Sequence, residues 1–330
     1  MSRVTPPPQS DNEGRQPYLV LSHQDEVSYL LEYLPDGRRV VTGSWQGTVR
    51  VWNLESGEPE GTSTKYEGRV SDLAITRDGT KIISCGGLGR IKVWDVESHK
   101  LVKEWTHLEH YSKIAISRDD RLVAVGMTNV DIYSMEGRHI HSIKIGNYTF
   151  SACFSPDGNK LACGTGKSTF VYDVNSGRCI PGPLTRGGGQ VVLWSRDGRL
   201  FSVSFSTIRC WNPDTGQEIG DPLIHHSHYI NSLSLSPGGS ILASASSDKT
   251  VRFWNATTGD PIGQHLQHDQ EVEAVRFSPS GESVASAGGD GKIWFWRVPW
   301  LNYVESRVST PVKCTSVFTF ITLHLTDKPC

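Results

Sequence analysis

Apolar residues in this chain come in short runs of β-branched, aromatic or small side chains, separated by polar stretches rich in Gly, Asp and Ser. The segments Lys81 to Cys85, Ile91 to Trp94, Arg121 to Val125, Ile241 to Ser246 and Thr250 to Trp254 have this character, which predicts strands. The 3.6-residue recurrence of an amphipathic helix is missing throughout. Runs such as Ile241-Leu242-Ala243-Ser244-Ala245 are apolar or small at consecutive positions, the pattern of sheets covered on both faces.

The strand pattern repeats. An aromatic, usually followed by Asp or Asn, recurs as Trp52-Asn53, Trp94-Asp95, Tyr133-Ser134, Tyr172-Asp173, Trp211-Asn212, Trp254-Asn255 and Trp296-Arg297, at intervals of 42, 39, 39, 39, 43 and 42. A turn dipeptide stands at a steady distance before each: Asp36-Gly37, Asp78-Gly79, Asp119-Asp120, Asp157-Gly158, Asp197-Gly198, Gly238-Gly239 and Ser280-Gly281. These residue types tolerate the positive φ of tight hairpins. A third marker, Ser56-Gly57, Glu136-Gly137, Ser176-Gly177, Thr215-Gly216 and Thr258-Gly259, follows the aromatic. A period near forty residues in three markers of one phase predicts an all-β, seven-bladed β-propeller of four-stranded antiparallel blades.

The expected organisation is a disordered segment over 1–15, a propeller over 16–298 and a tail over 299–330 outside the repeats. After Trp296 the usual turn is replaced by Pro299-Trp300-Leu301, so blade seven needs an outer strand from elsewhere. Tyr18-Leu19-Val20-Leu21 is the expected closing strand, which removes an exposed edge, and Asn302 to Ser309 is the alternative. The tail run Val317 to Leu323 has the composition of an aggregation-prone strand.

The repeats resemble those of the WD40 family, most closely at His226 to Trp254 and next at His268 to Trp296. The linker Thr215 to Leu223 resembles that of fungal NACHT and WD40 signalling proteins. The resemblance implies a hydrogen-bonded tetrad in each blade: His226, Ser244, Asp248 and Trp254 in blade six, and His268, Ser286, Asp290 and Trp296 in blade seven. Blade one keeps His23, Thr42 and Trp52 but has Gln46 for Asp, and blade two has Tyr66 and Leu88 at the His and Asp positions. Blades three to five lack the full set, so they are expected to rely on packing alone, with blades six and seven the most rigid.

Charge and candidate chemistry narrow the function. Lys plus Arg total 33 against 35 Asp plus Glu, a net charge of -2, which offers no general field for nucleic acid or anionic lipid. No signal peptide is expected from the polar start, and no apolar run approaches the ~20 residues of a membrane-crossing helix. The seven cysteines are odd in number and lack a C-x-x-C pair, so they are expected to be reduced in a cytoplasmic protein, with a nuclear location also open. The sequons at Asn147 and Asn255 are then chance matches.

Gly164 to Thr169 imitates a phosphate-binding loop, but Leu161 replaces its leading Gly and a strand follows. His225, His226 and His228 have no carboxylate or thiolate at ligand spacing, so no metal is expected. No nucleophile elbow or acid-base signature is present. The expectation is therefore a non-catalytic scaffold or adaptor that needs no cofactor and acts as a monomer within a larger complex of proteins or peptides. The alternative is an enzyme or small-ligand binder using the central channel. Candidate partner-binding residues, three positions after the His-equivalents or in the facing turns, are Glu26, Trp45, Arg69, His110, Tyr148, Phe205, Tyr229, Asp269 and Glu271. With Asp25, the acids Glu26, Asp269 and Glu271 suggest that a basic or aromatic-rich peptide docks beside Trp45 and Tyr229.

Overall fold

The computed structural model describes residues 16–22, 28–107, 109, 113–180, 184 and 189–298. The expectations for 1–15 and for 299–330, including Asn302 to Ser309, lie outside these residues.

Strands form because each short apolar run is bounded by residues that turn the backbone sharply. All seven residues ending the first marker dipeptides have positive φ, including Asp120 at 58° where the other blades place Gly. The Asp120 carboxylate accepts a hydrogen bond from the Arg77 backbone N–H at 3.0 Å. The left-handed turn of blade three is thereby tied to blade two.

The described strands make seven separate antiparallel sheets in chain order. In blade one the inner strand Ser28–Tyr33 turns into Arg39–Ser44, then into Thr48–Asn53, and the outer strand is Pro59–Lys65. The same meander recurs in the following blades. Blade four carries three regular strands, and its outer position is a single bridge from Tyr172 to Cys179. There Ile180 and Leu184 still donate N–H groups to the third strand, at 2.7 and 2.9 Å.

Blade seven takes its outer strand from the chain's beginning. Leu19–Ser22 pairs antiparallel with Lys292–Arg297, from Leu19 opposite Phe295 to Ser22 opposite Lys292. The four-stranded sheet so formed closes the ring, as the missing turn after Trp296 requires.

The buried apolar residues fall into seven clusters, each shared by two neighbouring blades. Between blades six and seven, Ile241, Ala243 and Phe253 meet Val272, Val275 and Phe277. Between blades seven and one, Ala285 and Phe295 meet Leu31 and Trp52. Second strands are small because adjacent sheets converge on them: Ala243 and Ala245 are fully buried. No blade has a core of its own, so the stability of each depends on its neighbours.

The inner strands line a central channel. Inner strands begin, and second strands turn into third, at what we call the upper end. Inner strands turn into second strands at the lower end. Side chains stitch neighbouring inner strands along the channel: Asp72 accepts the Ile114 N–H at 3.0 Å, Ser151 that of Val192 at 3.2 Å, and Ser232 that of Val275 at 3.3 Å. These bonds satisfy strand-edge donors that would otherwise be bare.

Candidate functional site

The turns at the upper end are held from beneath by polar networks. In blade six the Trp254 indole N–H donates to Ser244 Oγ at 2.9 Å, Ser244 Oγ lies 2.7 Å from His226 Nε2, and His226 Nδ1 lies 2.8 Å from Asp248. The chain is satisfied throughout if Ser244 donates to Nε2 and Nδ1–H donates to the carboxylate. Burial pushes the Asp248 carboxyl up, but the bonds from His226, Thr250 and the Ser227 N–H outweigh it and hold it well below the carboxylate range.

Blade seven differs at one member. His268 Nε2 lies 3.1 Å from Ser286 Oγ, which also accepts from Trp296 at 2.9 Å, but Asp290 makes no hydrogen bond to His268. Its carboxylate instead accepts the Trp294 indole N–H at 3.3 Å. Blade six has Arg252 at the position of Trp294, and Thr250, which anchors Asp248 at 2.6 Å, where blade seven has Lys292. Trp294 also stacks on Trp296 with centroids 5.9 Å apart. Without a bonded carboxylate, His268 is held neutral by burial, its pKa lowered to about 4.

Blade three does not rely on packing alone. His107 Nδ1 lies 3.2 Å from Asp131 and 3.3 Å from the Tyr133 hydroxyl. Glu109 accepts the Met127 and Thr128 N–H groups at 2.6 and 2.8 Å, capping the upper turn from the preceding loop. In blade two Tyr66 substitutes for His, its hydroxyl 2.7 Å from Ser84 Oγ.

On this base the upper rim carries exposed rings: Trp45 at 54%, Tyr148 at 58%, Phe205 at 56% and Tyr229 at 39% of full exposure. Phe205 and Tyr229 stack with centroids 5.0 Å apart across blades five and six. The Phe205 carbonyl accepts the Ile230 N–H at 2.8 Å, fixing the pair's backbones. Phe205 has φ of 55° in a tight turn, a conformation that costs a side-chain-bearing residue about 1–2 kcal/mol. Arg69 lies over the Trp45 ring at 5.3 Å, between blades one and two.

Trp45 therefore leans towards blade two and Tyr229 towards blade five, which gives two aromatic clusters in place of the single site suggested by the sequence. Asp269 and Glu271 are exposed at the top of blade seven, between them around the ring. Glu26 and His110 lie outside the described residues. Sequence reasoning missed two further exposed rim residues, Leu88 and Phe150. Leu88, at φ of 63° in a turn, was legible as an apolar residue in a position that favours Gly or Asp. Phe150 gives no such signal, because its outlook depends on where the inner strand enters the channel.

The channel encloses about 570 Å³. Arg276 lines it, donating to Glu32 at 2.7 Å and to Ser232 at 2.9 Å, which joins blades six, seven and one. Burial pushes the Glu32 carboxyl up despite Arg276. Among the described residues, no three or more His, Cys, Asp or Glu side chains are grouped to hold a metal ion. The Cys153 thiol, beside the channel, is raised to about 12 by burial, far from the range of a nucleophilic thiolate.

Seven four-position blades closed into a ring define a seven-bladed β-propeller. The family described as WD domain, G-beta repeat matches residues 15–53, 57–95, 218–255 and 259–297, and the chain is a WD40-repeat protein. It is 25% identical over 199 residues to WD repeat-containing protein 26 homolog of Arabidopsis thaliana, covering 55% of this chain and 33% of that one. It is 26% identical over 214 residues to WD repeat-containing protein 1 of Gallus gallus, covering 61% of this chain and 32% of that one. The matched part is about a third of each relative's length. Among solved structures, a chain of the crystal structure of the mitotic checkpoint complex superposes with a TM-score of 0.75 at 18% identity, covering 90% of this chain and 97% of that one. That likeness concerns the fold.

Proposed function

We propose that the protein is a non-catalytic adaptor that binds segments of other proteins on its upper rim. The stacked Phe205–Tyr229 pair carries this reading. A large ring held at positive φ and left in solvent brings backbone strain without a compensating core contact, and such strain concentrates at functional positions. Exposed Asp269 and Glu271 favour a partner segment with basic residues beside its apolar anchor. WD repeat propellers generally serve as protein-binding scaffolds, which supports the same assignment.

Affinity capture followed by mass spectrometry tests it, comparing the wild-type chain with Tyr229→Ala and with Trp45→Ala. The expected result is a set of proteins lost with Tyr229→Ala, and a separate or smaller loss with Trp45→Ala, because the two rings belong to different clusters. Identical recovery by all three proteins would overturn the rim assignment.

A further inference from the structure

The lower end of the channel carries a feature that the upper-rim reading does not use. In blades two to five the inner strand is followed by a buried Ser or Thr whose hydroxyl donates to the turn Asp two residues on, at 2.7 Å for Thr76 to Asp78 and 2.6 Å for Ser117 to Asp119. Ser195 bonds Asp197 in the same way. The next residue of each turn lies at the lower end. In blades one, four, six and seven it is Pro35, Pro156, Pro237 and Pro279, whereas in blades two, three and five it is Arg77, Arg118 and Arg196.

Arg77, Arg118 and Arg196 are exposed and border one recess of about 450 Å³ together with Ile116, Phe154 and Trp194. Among the described residues none of the three guanidiniums makes an ion pair or hydrogen bond. The carboxylates of the same turns are already committed. Asp78 and Asp119 bind their own hydroxyl and backbone N–H donors, Asp197 binds Arg199, and Asp120 caps the Arg77 N–H. Neighbouring Arg276 is neutralised by Glu32. Three guanidiniums free of ion pairs among the described residues therefore stand beside an apolar wall, while the carboxylates of their turns are held by other donors.

We propose that this recess is a second docking surface, for an acidic peptide segment of a partner protein. The arginines sit on three separate blades, with Pro156 of blade four among the recess residues, so the positive charge is spread along an arc. Carboxylates spaced along an extended chain match that arc, whereas one compact anion meets only part of it. An apolar side chain between the carboxylates finds Ile116, Phe154 and Trp194. With the upper rim at the other end of the strands, the ring would hold two partners of opposite charge at once.

Fluorescence anisotropy with a short labelled peptide of repeating Glu-Glu-Leu tests the site, with a Lys-Lys-Leu peptide, inorganic phosphate and phosphatidylserine vesicles as comparison probes. The expected result is salt-sensitive binding of the acidic peptide alone, weakened at least about tenfold by Arg118→Glu with Arg196→Glu. Lys103→Glu, on the exposed outer strand of blade two, and Tyr229→Ala should leave it unchanged. All four positions are exposed, and thermal melting checks that each variant is folded. No binding by the wild-type chain, an equal loss with Lys103→Glu, or stronger binding of phosphate or vesicles would overturn the proposal. Because Tyr229→Ala separates the two ends, failure here leaves the upper-rim reading standing.

Discussion

At the scale of single residues, the third-strand aromatic decides what the second strand must supply. Where it is Trp, the second-strand residue two positions beyond its paired neighbour is Ser or Thr and accepts the indole N–H: Trp52 to Thr42 and Trp211 to Ser202 at 2.9 Å, as in blades six and seven. Where it is Tyr, as at Tyr133 and Tyr172, that position is Val125 or Cys163. Ser244 is the junction of the blade-six chain, so Ser244→Ala strands buried groups on both sides. It should cost about 2–3 kcal/mol, read as a lower urea midpoint.

His268 gives a pH dependence of definite sign. Its folded pKa, lowered to about 4, lies below the ~6.5 of an unfolded chain, so between these values the unfolded state binds the extra proton. Stability is complete above about pH 6.5 and is lost as pH falls towards 4, by at most about 3 kcal/mol. Urea titrations across this window should show that slope in the wild-type chain and a shallower one in His268→Gln. An equal slope in both would assign the effect elsewhere.

At the scale of elements, the turn chemistry was legible in the sequence and the side-chain partnerships only in part. The spacing of Asp-Gly and Ser-Gly pairs located the hairpins because positive φ restricts residue type wherever it occurs. The exchange of Asp290 from His268 to Trp294 was not legible, since it depends on which of two donors lies nearer in space. The His107–Asp131 contact was missed because Val125 breaks the pattern on the second strand while the third strand supplies the carboxylate. Blade four now has the weakest support: one bridge at its outer position and Cys163 in place of the Ser acceptor. Hydrogen exchange should be fastest in Thr169–Asp173 among the third strands, with blade three closer to blade six than packing alone would give. Phe205→Gly probes the strained turn separately: relief of positive φ should leave the unfolding free energy unchanged or raise it by up to about 1 kcal/mol while the captured partners are lost.

At the scale of the whole molecule, each of the seven apolar clusters lies between two blades, so the ring is stable only when closed. Leu19–Ser22 is the latch: it pairs along Lys292–Arg297 and buries Leu21 against Ile293 and Phe295. The two proposed docking surfaces depend on that latch, because blades free to splay would no longer hold Tyr229 or Arg118 in register with their neighbours. The most direct measurement is the thermal unfolding of a chain lacking residues 1–22. The closed ring predicts a midpoint lower by about 5 °C or more, reflecting a loss of a few kcal/mol, with blade seven the first to exchange its amides. A midpoint and exchange pattern identical to those of the full chain would contradict closure by the first strand.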